Sequence, residues 1–144
     1  MKLAPAFFVA LLATAPCVYG QGYIGNYSAN PYPPNSTGNQ YGAGSSYNAN
    51  GVNNPYGQYG SQYSPKSATN PYANDAPKLY DSQGNYHGRL STNQYDPDST
   101  SNPYGRYGSK YSPDSINNPY GAGSRYNSDS PNNPNGQGMR VYGQ

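Results

Sequence analysis

A proline returns at the same place in nearly every unit of this chain, and no unit leaves room between its prolines for a helix or strand of ordinary length. The clearest copy is Asn102–Gly121, which begins and ends on Asn-Pro-Tyr-Gly and holds Tyr111-Ser-Pro-Asp-Ser115 between. Ser112 is placed to cap a helix, Pro113 suits a first helical position, and Asp114 complements the positive end of a helix dipole. Pro119 then stops the helix, because it disfavours helical geometry at Asn118 and offers no N–H of its own. The unit predicts one helical or 3-10 turn, an extended residue, and a turn at Pro119-Tyr120-Gly121.

The unit recurs. Tyrosines stand at Tyr32, Tyr47, Tyr63, Tyr80, Tyr95, Tyr111, Tyr126 and Tyr142, in steps of 15 to 17 residues, and the residues after them agree. The position after the tyrosine reads Asn48, Ser64, Asp96, Ser112 and Asn127, all short acceptors suited to an N-cap. Four residues further on stand Val52, Ala68, Thr100, Ile116 and Pro131, which the pattern places inward. One window departs from the pattern: in Pro77–Leu90, Asp81-Ser-Gln-Gly84 lies between tyrosine- and leucine-bearing arms and predicts a β-hairpin.

Composition limits what can hold such units together. Past residue 20 the aliphatic side chains larger than alanine are Ile24, Val52, Leu79, Leu90, Ile116, Met139 and Val141, with no Phe or Trp. That is little apolar area to set against a chain entropy of about 1–2 kcal/mol per residue. Tyrosine, 19 residues of 144, is the one abundant large side chain. The expected fold class is therefore an irregular, turn-rich tandem repeat with short helical turns, one β-hairpin and no conventional core, with substantial disorder as the alternative. Tyr63, Tyr95, Tyr104, Tyr111, Tyr120 and Tyr126 are the candidate packing or stacking residues.

The first twenty residues differ from the rest. Lys2, a mostly apolar run over 3–15 and small residues near Gly20 predict a secretory signal peptide cleaved between Gly20 and Gln21. The only cysteine, Cys17, falls in the removed part, and Pro16 opposes a lipoprotein reading. No membrane span is expected after removal, and the location is periplasmic or extracellular. The divisions are 1–20 signal peptide, 21–76 degenerate flexible repeats, 77–94 hairpin, 95–136 best-formed repeats and 137–144 tail.

Leu-Tyr-Asp-Ser-Gln-Gly-Asn-Tyr from Leu79, followed by Tyr-Asp-Pro-Asp-Ser-Thr-Ser-Asn-Pro-Tyr-Gly and its successors to Gly136, resembles a group of uncharacterised short exported bacterial proteins with Tyr-Ser-Pro-Asp-Ser and Asn-Pro-Tyr-Gly repeats. The resemblance implies bacterial export and brings no activity and no site residues. Asn135 stands where that pattern has tyrosine.

Chemistry-bearing residues are sparse. There is one histidine, His87, read as a surface residue of the hairpin, and no glutamate. Asp96-Pro-Asp-Ser99 lacks the glycine and glutamate of an EF-hand loop. No cofactor and no enzyme activity is expected. Lys and Arg nearly balance Asp, so Arg106, Lys110 and Arg125 among the tyrosines read as spaced solubilising charges, with no nucleic-acid partner. The expected role is a structural or adhesive one at or outside the cell envelope, with the chain itself as partner. The alternative is a module that binds cell-wall polysaccharide through exposed tyrosines.

Overall fold

A computed structural model describes residues 22–143; the predicted leader and its Gly20/Gln21 junction lie outside the described residues. Four short strands organise the chain: β1 (Gly22–Tyr27), β2 (Lys78–Tyr80), β3 (Tyr86–Arg89) and β4 (Met139–Gly143). They form one antiparallel sheet in the order β1-β4-β2-β3. No helical or 3-10 residue occurs among the described residues.

This corrects the expected fold class. The short helical turns are absent, and β2 and β3 are not a lone hairpin but one side of a sheet that β4 and β1 complete. The sheet draws its strands from both ends of the described chain, so β1 falls in the expected flexible region and β4 in the expected tail. The 15- to 17-residue spacing survives as a spacing of hydrogen bonds, not as the fold class.

The absence of helix has a local cause. A side-chain acceptor that takes the N–H two residues ahead serves a helix cap and an isolated turn equally well. All five predicted caps make that bond: Asn48 to Asn50 (3.1 Å), Ser64 to Lys66 (3.2 Å), Asp96 to Asp98 (2.9 Å), Ser112 to Asp114 (3.3 Å) and Asn127 to Asp129 (3.0 Å). Each bond opens a closed turn and not a growing helix. Ser115 N–H donates to the Ser112 carbonyl, Asn118 to Ser115, Gly121 to Asn118 and Ser124 to Gly121, each at 3.0–3.2 Å. Every third residue is a fresh Ser, Asn, Asp or Gly that ends one β-turn and starts the next.

The amide of four of the five Asn-Pro-Tyr motifs ties two such turns together. Asn54, Asn70, Asn102 and Asn118 donate from Nδ2 to the carbonyl six residues back, at 2.9–3.1 Å, while their Oδ1 accepts from the tyrosine N–H ahead. Only a side chain with both donor and acceptor does both. Asn53, Asn117 and Asn132 reach farther. Asn117 Nδ2, for example, donates to the carbonyls of Thr100 (2.7 Å) and Gly108 (3.0 Å), laying one pass of the chain beside the previous one.

A conventional core does exist, which is a second correction. Val52, Leu79, Leu90, Ile116, Met139 and Val141 form a buried cluster with Tyr59, Ala68 and Ala122, and Ile24 and Tyr27 pack against it. Every large aliphatic of the described chain is used. Leu79 and Val141 face each other across β2 and β4 with no exposed surface. The predicted inward positions Val52, Ala68, Thr100, Ile116 and Pro131 are all buried. Beside them runs a column that composition did not flag: Ser36, Ser67, Ser99, Ser115 and Ser130, at most 1% exposed. Each hydroxyl accepts the N–H two residues ahead, so these polar atoms are buried but not orphaned.

The two halves, 22–80 and 86–143, answer to each other. Tyr23, Gly25 and Ser36 correspond to Tyr86, Gly88 and Ser99, and Leu79-Tyr80 to Val141-Tyr142. Each first strand has a register shift that accommodates one extra residue. Next to it a glycine has positive φ, 135° at Gly25 and 93° at Gly88, as a bulge of this kind requires. Asn26 bridges Ser36 in parallel, and Arg89 bridges Ser99 in the same way. The ring pairs match too: Tyr23–Tyr142 at 5.8 Å, Tyr80–Tyr86 at 5.6 Å, and Tyr80–Tyr142 at 5.6 Å in the middle. An approximate two-fold axis therefore passes between β4 and β2.

Candidate functional site

The turn ladder puts tyrosines at its outer corners. The N–H of Tyr63, Tyr95, Tyr104, Tyr111, Tyr120 and Tyr126 donates to the Ser or Asn side chain two residues back, at 2.9–3.2 Å. That bond fixes the backbone while the ring turns away from the core. All six rings are 82–95% exposed, and Tyr32, Tyr41, Tyr47, Tyr56 and Tyr72, which the repeat pattern alone does not single out for stacking, lie in the same range. As packing residues the six are absent from the core and from the ring–ring pairs of the described residues, which join Tyr23, Tyr80, Tyr86, Tyr107 and Tyr142. As stacking residues they are fully presented. Lys110 lies over its neighbour Tyr111 with Nζ 5.8 Å from the ring centre.

Open clefts lie between some of these exposed rings. One, of about 730 Å³, has Tyr56 and Tyr63 as walls and Asn53, Gln62 and Thr69 among its polar lining. A second, of about 460 Å³, lies between Tyr41 and Tyr47 with Gln40, Ser45 and Ser46. Aromatic walls with amides and hydroxyls beside them suit a flat, hydroxyl-rich ligand.

A separate polar cluster sits at the β2–β3 turn. His87 is buried, where the sequence predicts a surface residue. Its Nδ1 lies 3.0 Å from the Asp114 carbonyl and its Nε2 3.1 Å from the Asp81 carboxylate. Burial alone would raise the Asp81 pKa. Hydrogen bonds from the Asn85 N–H, the His87 ring, the Asn85 amide and the Gln83 N–H outweigh it and hold the carboxyl below its ordinary value. Tyr86 goes the other way. Burial first, then the Asp98 carboxylate 3.3 Å from its hydroxyl, push the phenol up, with Arg89 opposing. His87 thereby ties the β2–β3 turn to the backbone at Asp114. No group of three His, Cys, Asp or Glu able to hold a metal occurs among the described residues. No helix long and apolar enough to cross a membrane occurs among them either.

No family model, no curated protein and no solved structure matches the chain. The functional reading therefore rests on the surface itself.

Proposed function

We propose that this chain is a non-enzymatic exported protein with a structural or adhesive role at the cell envelope or outside it, and that its pinned, outward tyrosines are the contact surface. The observation that carries the reading is the pairing of two facts at each of the six corner tyrosines named above. The backbone is held by a side-chain hydrogen bond, and the ring is left in solvent. A ring held in solvent on a fixed backbone loses little freedom when it contacts something outside, which favours a contact role. Export is supported by the signal-like first twenty residues and by the resemblance to short exported repeat proteins.

One observation favours a second reading, a module for cell-wall polysaccharide: the clefts walled by Tyr56 and Tyr63 and by Tyr41 and Tyr47 have amide and hydroxyl side chains beside the rings. One experiment separates the two. Purified protein from residue 21 is sedimented alone and with insoluble peptidoglycan, alongside a Tyr56→Ala/Tyr63→Ala/Tyr104→Ala/Tyr120→Ala variant. Self-association or adhesion to chemically unrelated surfaces, lost in the variant, supports the adhesive role. Retention on the glycan alone, lost in the variant, supports the module. A variant as adherent as the parent would remove the tyrosine surface from both.

A further inference from the structure

The strands of the sheet are exchanged between the halves. β1 and β2 belong to the first half and β3 and β4 to the second, yet β1 pairs with β4 and β3 pairs with β2. Only the central β2–β4 pair sits on the approximate two-fold axis. Neither half completes its own sheet. Outside the sheet most backbone bonds stay within a half, but two more cross between halves: Ala29 N–H donates to the Pro131 carbonyl (2.9 Å), and Leu90 N–H to the Pro77 carbonyl (2.7 Å). Asn26 and Asn30 in turn donate from their side chains to the carbonyls of Gln137 and Gly136, both at 3.0 Å.

One covalent link joins the halves, the short turn Asp81–Asn85. Asp81 closes it by accepting from the N–H groups of Gln83 (2.9 Å) and Asn85 (2.8 Å). Open that turn, and each half presents an unfilled sheet and core that any other copy's opposite half fits, because all contacts except the turn itself can be remade between chains.

We propose that the surface each half presents to the other is a docking surface for a second copy of this chain, so that copies associate by exchanging halves through opening of the Asp81–Asn85 turn. A closed pair of such copies is a dimer of two complete sheets, and an open exchange continues from chain to chain. The link sets the balance. A short flexible tether gives the two halves an effective concentration in the millimolar range, so the closed single chain wins in dilute solution and exchange wins where the protein is concentrated or the turn cannot form. This association uses no corner tyrosine, so it stands or falls separately from the adhesive surface.

The test removes the turn. Deleting Ser82–Asn85 leaves one residue between Tyr80 and Tyr86, fewer than the two that the tightest antiparallel reversal needs. The expected product has twice the parent's mass by light scattering and keeps its strand signal. A folded product of the parent's mass overturns the proposal. Should the shortened chain not fold, a second pair of variants decides. Tyr23→Cys and Tyr142→Cys face each other across β1 and β4 only when opposite halves pair. With Cys17 absent from the protein used, the two chains are mixed, unfolded in urea, refolded together at about millimolar concentration and oxidised. Cross-linked heterodimers of the two chains support exchange between copies. A disulfide-free mixture, with each chain recovered as a single copy, overturns it.

Discussion

The two halves share a scaffold and differ in charge. In the first half, Tyr23 accepts a hydrogen bond from the Asn35 amide (3.1 Å) and donates to Asn26 (2.6 Å). In the second, the corresponding Tyr86 bonds to Asp98 (3.3 Å), and Arg89, where the first half has Asn26, pairs with Asp96 (3.4 Å). Ile24, beside the glycine of the first strand, becomes His87 with its Asp81 contact. Ala43, against Gly25, becomes Tyr107, against Gly88. The geometry is therefore carried by the residues the halves have in common: tyrosine, positive-φ glycine, buried serine and turn asparagine. Charge is an addition to it, while phenols raised by burial occur in both halves.

The largest effects should fall on the axis, where the halves meet on equal terms. Leu79→Ala should cost about 2–5 kcal/mol by urea unfolding, and Val141→Ala less, about 1.5–3 kcal/mol, since both are wholly buried and the leucine leaves the larger hole. Equal costs would mean that the core relaxes around one of them. Next come the bulge glycines. A Cβ at Gly88 would press on the Asp98 carbonyl and on Tyr107, both at 2.6 Å, whereas at Gly25 it would meet Ala43 and the Asn35 carbonyl at 3.0 Å. Both also demand positive φ. Gly88→Ala should cost about 2–4 kcal/mol and Gly25→Ala about 1–3 kcal/mol. The reverse order would show that the tyrosine, not the alanine, is the neighbour able to give way.

Much of this arrangement is legible in the sequence as positions and little of it as structure. Asn48, Ser64, Asp96, Ser112 and Asn127 are turn acceptors, and Val52, Ala68, Thr100, Ile116 and Pro131 are inside. A capped helix and a succession of β-turns begin with the same bond, however. The difference lies in the next triplet, where another Ser, Asn or Gly restarts the turn. The seven large aliphatics look too few for a core because they are scattered singly. Turns bring in Val52 and Ile116, strands bring in Ile24, Leu79, Met139 and Val141, and only in three dimensions do they touch. The sheet is the least legible part. Its strands are three to six residues long, three of the four carry glycine, and β1 pairs with β4 across more than a hundred residues of chain. By abundance tyrosine reads as the glue. The core is instead aliphatic, and the corner tyrosines are left for the surface.

The pH response draws on both halves and on the turn between them. Tyr86 holds its proton more tightly folded than unfolded, so its contribution is fully present below the ordinary phenol value of 10.0 and is lost as pH rises beyond it. Tyr27 shifts in the same direction from burial alone. Stability should therefore fall above about pH 10. Tyr86→Phe should flatten that fall more than Tyr27→Phe, as read by urea midpoints on either side of the phenol range. At the acid end Asp81 behaves oppositely. Its depressed carboxyl contributes above its ordinary value of 3.8, and the contribution is lost as pH falls through the lowered value. Asp81→Asn should remove part of the acid sensitivity.

The smallest effect tests whether the second half's outer charges matter at all. Arg106 Nε lies 2.7 Å from the Asp114 carboxylate, the shortest ion pair among the described residues, and its guanidinium carbon sits 5.4 Å from the centre of the Tyr107 ring. Yet the side chain is mostly in solvent, where water and salt screen the attraction and the entropy of holding a long side chain offsets it. Asp114 also offers His87 only its backbone carbonyl, which a side-chain substitution leaves in place. Arg106→Ala should leave the urea midpoint unchanged at physiological ionic strength, although it holds the best-formed pair on the surface. If the midpoint instead dropped, and the drop shrank in concentrated salt, the pair would be carrying strain from the Gly88–Tyr107 contact beneath it. Charge would then be part of the second half's scaffold and not an addition to it.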